Sequence, residues 1–289
     1  EALTVIEKYL SSNNAVSNQQ ELLMKKADIL FDQGDLPAAI QEYQQVLSKN
    51  PDRARQAKAL QQIGRAYELE NNPSQAISYY RQIVDNFSDV PAAASVALAL
   101  GTAYERTKQY AQAKEVFTLF DTKFPASSLL AEARFQHGMA LLHLKDSTEG
   151  FTQFQFVVSQ HQADIFAERS RLQIAKLHQR KKQYQASLDT LEGVVSRRSD
   201  DLAAEALLIM GEDYLLLKRN GDALQAFLDV VEQYTEFALL VERAKLGAGE
   251  SYTRLREPKK AKKMYQEIVD APVDPEMKKE AQERLRRMR

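Results

Sequence analysis

Apolar residues recur at spacings of three and four through most of the chain, and short polar breaks interrupt this pattern at regular places. Residues 21–33 form one such segment and residues 36–49 form the next, with Gly34 in the break between them. Apolar residues at this spacing predict an amphipathic helix, and Pro51 ends the second helix because proline lacks a backbone donor. The pattern therefore predicts two antiparallel helices joined by a short turn.

The same helix pair repeats along the chain. A small residue in the first helix returns at steps of 36 to 38 residues, a second small residue follows each one, and a bulky residue follows that. A fixed period of this length indicates an array of helical repeats. The first small column is Ala27, Gly64, Gly101, Gly138, Ala175, Gly211 and Gly249, and the bulky column is Tyr43, Tyr80, Phe117, Phe154, Leu191, Phe227 and Tyr265.

The small columns predict close packing between the two helices of a repeat. Ala27 and Ala39 lie on facing helices, where small side chains let the backbones approach while Leu30 and Tyr43 fill the space beside them. A glycine inside a helix costs about 1 kcal/mol relative to alanine, so its recurrence indicates a packing requirement. We therefore assign these columns to the core and not to catalysis.

This order of residues resembles the tetratricopeptide repeat. Gly64 and Tyr67, followed after the turn by Ala76 and Tyr80, match the small and aromatic positions of that family. The resemblance implies an all-α, right-handed solenoid of about sixteen helices, arranged as helix–turn–helix repeats. The period is longer than the family's usual length of about 34 residues, and the family's tryptophan is absent. The fourth and fifth repeats depart furthest from the pattern, at Gly150, His178, Ser187 and Leu191.

A narrower resemblance concerns the long period and the junctions between repeats. Junctions such as Asn86-Phe87 and Phe124-Pro125 are similar to those of a bacterial envelope subgroup. That subgroup includes the periplasmic coordinator of the Tol–Pal system and the repeat lipoprotein of outer-membrane assembly. It implies a periplasmic or outer-membrane-associated protein, and a cytoplasmic location stays open.

The repeat frame also divides the chain, which we interpret as one solenoid over residues 1–289. Residues 1–14 match the second helix of a repeat, so we expect a truncated leading repeat and a fragment of a longer protein. Residues 20–273 hold seven repeats. Residues 274–289 form a highly charged helix, and a solenoid needs a polar terminal cap. The basic stretch from Arg254 onward could instead meet phosphate or anionic lipid, and we favour the cap.

Composition narrows the function. The chain is 44% hydrophobic and 27% charged with a net charge of −1, which is typical of a soluble fold with no general attraction to nucleic acid. It has no cysteine and no apolar run long enough to cross a membrane. Its four histidines show no metal-ligand spacing, and no phosphate loop or nucleophile motif occurs. We expect no enzyme activity, no cofactor and no metal.

The resemblance places the first helix of each repeat on the concave side of the array. Two adjacent columns would then line a groove, with an apolar patch in the fourth repeat that Phe135 could extend. RNA recognition by helical repeats is disfavoured, because these columns mix charges and include several acids. The predicted groove residues are Asp28, Phe31, Arg65, Glu68, Thr102, Glu105, Arg106, Met139, Leu142, His143, Lys176, Gln179, Glu212, Leu215 and Glu250.

These features predict a non-catalytic scaffold that binds a partner protein or peptide in the groove. The alternative is an architectural spacer or self-assembling array with no groove ligand. The sequence does not distinguish them.

Overall fold

The computed structural model describes residues 2–10, 16–49 and 51–288. In these ranges the protein consists of sixteen α-helices and has no strand, which confirms the predicted all-α class. The helices are α1 Ala2–Leu10, α2 Val16–Asp32, α3 Leu36–Ser48, α4 Arg53–Leu69, α5 Pro73–Asn86, α6 Ala93–Arg106, α7 Tyr110–Lys123, α8 Leu130–His143, α9 Ser147–Gln160, α10 Ile165–Arg180, α11 Tyr184–Arg197, α12 Asp201–Leu216, α13 Asn220–Gln233, α14 Ala238–Arg254, α15 Pro258–Asp270 and α16 Pro275–Arg287.

The chain divides into two compact units, residues 1–150 and 151–289. In the N-terminal unit, α2 packs on α3, α4 on α5 and α6 on α7, and each pair packs on the next through adjacent helices. In the C-terminal unit, α10 packs on α11, α12 on α13 and α14 on α15 in the same way. Each helix pair is one repeat, so the even-numbered helices α2 to α14 are the first helices.

The ends of the chain carry single helices. The predicted leading half-repeat contains α1, and residues 1 and 11–14 of that prediction lie outside the described residues. At the other end α16 packs on α15 and α14 and buries Ala281. Asp274 starts α16 by accepting backbone hydrogen bonds from Glu276 at 2.7 Å and Met277 at 3.2 Å. Its role as a cap stays a prediction.

The turns inside the repeats share one backbone conformation. In the first turn Gly34 has φ of 82°, and the backbone N–H of Asp35 donates to the carbonyl of Leu30 at 3.0 Å. A residue in this left-handed region ends a helix by satisfying its last carbonyls. The equivalent residue in the later turns is not glycine but Asn71, Lys108, Lys145, Lys182, Lys218 and Arg256, all with φ between 56° and 64°.

The glycines of the first small column make room for an aromatic ring. A Cβ built on Gly64 would lie 2.3 Å from Cε1 of Tyr80, and one on Gly101 would lie 2.3 Å from Cε1 of Phe117. Gly211 and Gly249 are closed in the same way by Phe227 and Tyr265. Real Cβ atoms do not approach so closely, which explains the tolerated helix glycines. The nearest neighbour is therefore the ring sixteen residues later, and not the backbone of the second helix.

Candidate functional site

The predicted groove residues all lie on first helices, and we name this set the first-helix face. None of them is buried. Arg65, Arg106 and His143 are exposed, and the rest are half-buried. The predicted extension of the apolar patch is wrong, because Phe135 is 8% exposed and belongs to the core. The face therefore consists of side chains that reach solvent from a packed base.

Ion pairs join three residues of the first-helix face to side chains on the first helix of the next repeat. They join Asp28 to Lys58 at 2.7 Å, Lys176 to Glu205 at 2.7 Å and Glu212 to Arg243 at 3.4 Å. The partners Lys58, Glu205 and Arg243 were missed by the sequence reasoning. Each lies seven residues before the face position of the next repeat, and that spacing returns to the same side of a helix. This spacing could have identified them.

Tyrosines of the second helices hold two carboxylates of the face. Tyr43 donates a hydrogen bond to Oδ1 of Asp28 and Tyr80 donates one to Oε2 of Glu68, both at 2.7 Å. Burial, and then the bonded carboxylate, raise the pKa of both tyrosines, so the phenols stay neutral donors. Asp28 and Glu68 are thus fixed in place by the core of their own repeats.

Glu105 occupies the same position in the third repeat as Glu68 in the second, but its environment differs. The second helix there supplies Phe117 where the second repeat has Tyr80, so no hydroxyl reaches the carboxylate. Among the described residues no group donates a hydrogen bond to the side-chain carboxylate of Glu105. Burial raises the pKa of Glu105 to about 7. The face therefore contains a carboxyl that has lost water without gaining a partner.

The two arginines of the face in the N-terminal unit have internal contacts. The Arg65 guanidinium lies 5.3 Å from the centre of the Phe31 ring and donates to Gln62 at 2.9 Å. Arg106 donates to Oδ1 of Asn71 in the preceding turn at 2.8 Å. Both side chains are exposed, so these contacts are weak and open to exchange.

At the C-terminal end of this unit, the face residue His143 stacks on an aromatic ring of the second helix α7. His143 lies against Tyr110, with ring centres 4.2 Å apart. Leu142 lies near Gly150, where an added Cβ would be 3.2 Å from Cδ2 of the leucine. Met139 and Thr102 are half-buried, and Thr102 returns its hydroxyl to the Leu98 carbonyl at 3.0 Å.

In the C-terminal unit the structure brings three predicted residues to one pocket of about 320 Å³ between α12, α14 and α16. Glu212, Leu215 and Glu250 line it together with Arg243 and Arg284. Burial raises the pKa of Glu212 despite Arg243. Burial also opposes ionisation of Glu250, but the bonds from its arginine neighbours prevail and lower its pKa. The pocket thus has an apolar base and charged walls of both signs.

Lys176 and Gln179, on α10, have partners in the next repeat and lie outside that pocket. Gln179 donates to Oδ1 of the buried Asp213 at 2.9 Å. Burial raises the pKa of Asp213. These residues connect repeats and present little free polar surface.

Metal-ligating residues and histidines were the other candidates for chemistry on these helices. They include no group of three or more His, Asp or Glu side chains that could hold a metal ion. His137 is buried on α8, and neither ring nitrogen has a hydrogen-bond partner among the described residues. Burial, with the nearby cations Arg134 and Lys114, lowers the pKa of His137 to about 4. This imidazole is a neutral core residue. No helix within the described ranges is long and apolar enough to cross a membrane.

Comparison with known families identifies the repeats. Models of the tetratricopeptide repeat match residues 19–89 and 62–128. No curated protein sequence matches the chain. The N-terminal part of the chain therefore carries tetratricopeptide repeats, as the sequence pattern predicted.

Solved structures show the same fold at low sequence identity. A tetratricopeptide repeat protein from Parabacteroides merdae is 15% identical with a TM-score of 0.59, covering 94% of this chain and 99% of that one. The apo form of RapI is 13% identical with a TM-score of 0.62, covering 99% and 80%. PilW, a type IV pilus biogenesis factor, is 16% identical with a TM-score of 0.59, covering 77% and 97%. The fold is thus a tetratricopeptide-type helical array.

Proposed function

We propose that this protein is a non-catalytic scaffold that binds a partner protein or peptide on its first-helix face. Proteins built from tetratricopeptide repeats mediate protein–protein interactions, which gives the class of function. The observation that carries the proposal is the pocket between α12, α14 and α16, where Glu212, Leu215 and Glu250 converge. Its apolar base suits an apolar side chain, and its charged walls suit the polar groups that flank one.

The N-terminal unit contributes a second point of recognition. Glu105 is half-buried and has no internal partner among the described residues, so a basic group of a partner would stabilise its charged form. The paired residues Asp28 and Glu68 have less to gain, because Tyr43, Lys58 and Tyr80 already satisfy them. Binding would then depend on a few sites along the face, with the remaining residues supplying complementarity.

The test is charge reversal on the face. A double variant, Arg65→Glu with Arg106→Glu, is compared with the wild type in a crosslinking pull-down from source-cell extract. The control variant is Lys123→Glu with Lys262→Glu, which reverses two exposed charges on the second helices α7 and α15. Circular dichroism first establishes that all three proteins have equal helix content.

A partner recovered by the wild type and the control, and lost by the face variant, is the expected result. Equal recovery by all three proteins contradicts binding through the N-terminal part of this face. Recovery of the chain alone would favour the architectural alternative, in which the repeats form a spacer or self-assembling array.

We also infer a bacterial envelope location, periplasmic or outer-membrane associated. The support is the long repeat period and the Phe- and Pro-containing junctions, which resemble those of envelope repeat proteins. The identity and compartment of a recovered partner test this inference. A cytoplasmic partner that crosslinks in intact cells would contradict it.

A further inference from the structure

The largest cavity described in the C-terminal unit is not on the first-helix face. It is a furrow of about 840 Å³ between the second helices α9 and α11, with α10 at its base. We name it the α9–α11 pocket. Residues that decide its shape are Gln155, Val158, Ile174, His178, Thr190 and Gly193.

The repeat frame provides a matched furrow in the N-terminal unit, between α5 and α7 over α6, of about 180 Å³. Its residues lie two repeats earlier at the same positions. Leu119 takes the place of Gly193, and Val116 takes the place of Thr190. The N-terminal furrow is therefore filled by the chain's own apolar side chains, and the α9–α11 pocket lacks them.

A hydrogen bond also bridges the N-terminal furrow and has no counterpart in the pocket. Arg81 on α5 donates to the hydroxyl of Tyr104 on α6 at 3.1 Å. The equivalent residues of the pocket are Gln155 and His178. His178 instead lies edge-on to Phe151, with ring centres 5.6 Å apart, and its Nδ1 is 2.9 Å from the side chain of Gln183. Gln155 and His178 therefore do not bridge the pocket in the way that Arg81 and Tyr104 bridge the N-terminal furrow.

Gly193 lies in the α11 wall of the pocket. The atoms nearest to an added Cβ there belong to the flexible guanidinium of Arg197, with its terminal nitrogens at 2.8 and 2.9 Å. This contrasts with the glycines of the first small column, which are closed by buried rings. Gly193 thus leaves room for the Arg197 side chain, which pairs with Glu168 on α10 at 3.0 Å.

One end of the pocket is basic. Glu168 is buried, and both Arg171 and Arg197 pair with it at 3.0 Å. One carboxylate thus serves two guanidinium groups, which leaves surplus positive charge at this end. Asp189 lies one turn before Gly193 on α11 and accepts from Gln185 at 2.8 Å. An anionic group is therefore favoured beside the arginines and disfavoured beside Asp189.

We propose that the α9–α11 pocket binds an apolar, leucine-like side chain of a partner polypeptide that carries a carboxylate next to it. The apolar side chain lies against Val158 and Ile174, in the part of the furrow next to Gly193. The carboxylate pairs with Arg171 and Arg197. This site lies on second helices, so it is separate from the first-helix face and does not depend on the function proposed there.

The minimal probe is N-acetyl-L-leucine, which carries both groups. Binding to the whole chain is followed by NMR through the methyl groups of Val158 and Ile174. We expect saturable shifts in the millimolar range, and about tenfold weaker binding of N-acetyl-L-leucinamide, because the amide loses the charge-assisted bonds to the arginines. Equal binding of the acid and the amide contradicts the assigned role of the arginines.

The variant Gly193→Leu restores the residue of the N-terminal furrow and should fill the pocket. We expect it to weaken N-acetyl-L-leucine binding by about tenfold or more. The matched control is Gly221→Leu, which adds the same side chain at an exposed position on α13 with open space around it. Unchanged binding by Gly193→Leu, or no saturable shift in the wild type, overturns the proposal. Self-association of the wild type that Gly193→Leu abolishes would place a second copy in the pocket and also overturn it.

Discussion

The furrow over α6 and the furrow over α10 are formed by equivalent helices of two repeats, but different side chains line them. Leu119 and Tyr104 close the first, and Gly193 and His178 leave the second open. Their volumes are about 180 Å³ and 840 Å³. The helices can keep their places because the repeat is held by its small and bulky columns, which lie elsewhere on the same helices. A repeat can therefore change its outer surface while its core contacts persist.

The largest effect is expected from opening the closed furrow. Leu119→Gly should destabilise the protein by about 2–4 kcal/mol, because it removes apolar contacts and adds a helix glycine. Chemical denaturation measures the change. Leu119→Ala separates the two causes, since it creates most of the cavity and keeps the helix propensity. If both variants unfold like the wild type, Leu119 does not support this furrow.

The opposite side of the same two helices offers the next comparison. Glu105 follows Tyr104 on α6, and the equivalent residue on α10 is Gln179, which is bonded to Asp213. The folded-state pKa of Glu105 is about 7, above its ordinary value of 4.5. Between these values the folded protein holds a proton that the unfolded chain has released, so stability falls as pH rises from 4.5 through 7.

Glu105→Gln should remove this fall in stability with rising pH, because the amide does not ionise. We expect the variant to be more stable than the wild type by about 1–2 kcal/mol at pH 8, and the difference to vanish below pH 4.5, after allowance for partial exposure. Denaturation at several pH values measures it. Phe117→Tyr is the companion variant, because a phenol there should bond to Glu105 as Tyr80 bonds to Glu68 and lower its pKa. If Glu105 has the same pKa in Phe117→Tyr as in the wild type, the missing phenol is not the reason for its raised pKa.

Closing the open furrow should have a smaller effect on stability. Gly193→Leu should stabilise the protein by about 1 kcal/mol, from helix propensity and from apolar surface that the pocket covers. Gly221→Leu, at the start of α13, provides the reference for a leucine that gains no pocket contacts. A Gly193→Leu protein less stable than wild type would show that Arg197 and its neighbours cannot make room.

The smallest effect concerns a feature that the two furrows share. The turns that follow α6 and α10 contain Lys108 and Lys182, both with φ of 59°. Glycine adopts this conformation without strain, which favours the folded state, but it also gives the unfolded chain more entropy, which opposes folding. We expect the relief of strain to be slightly larger, so that Lys108→Gly and Lys182→Gly each stabilise the protein by about 0.5 kcal/mol. Thermal unfolding of the two variants tests whether their stability changes are equal. Unequal shifts would mean that the two repeats differ in their turns as well as in their furrows.

Most of the fold could be predicted from the sequence, and much less of the candidate site. The period predicted an all-helical array of pairs, because packing columns repeat whenever the same contact repeats. The sequence placed Glu105 on the exposed side of α6, but its lack of a partner depends on Phe117. Phe135 was misassigned because a helix pattern alone does not show how deeply a side chain is buried.

By itself, the sequence determined the helix pairs, their turns and the side of each first helix that avoids the core, because these depend on spacing within a repeat. Only the tertiary structure decided which of those side chains are paired, since Asp28–Lys58 and Glu212–Arg243 form between repeats. It also decided that Gly193 opens a pocket and Gly64 does not. Both are helix glycines, but the next helix places the Tyr80 ring against Gly64, whereas the atoms nearest Gly193 belong to Arg197 of its own helix.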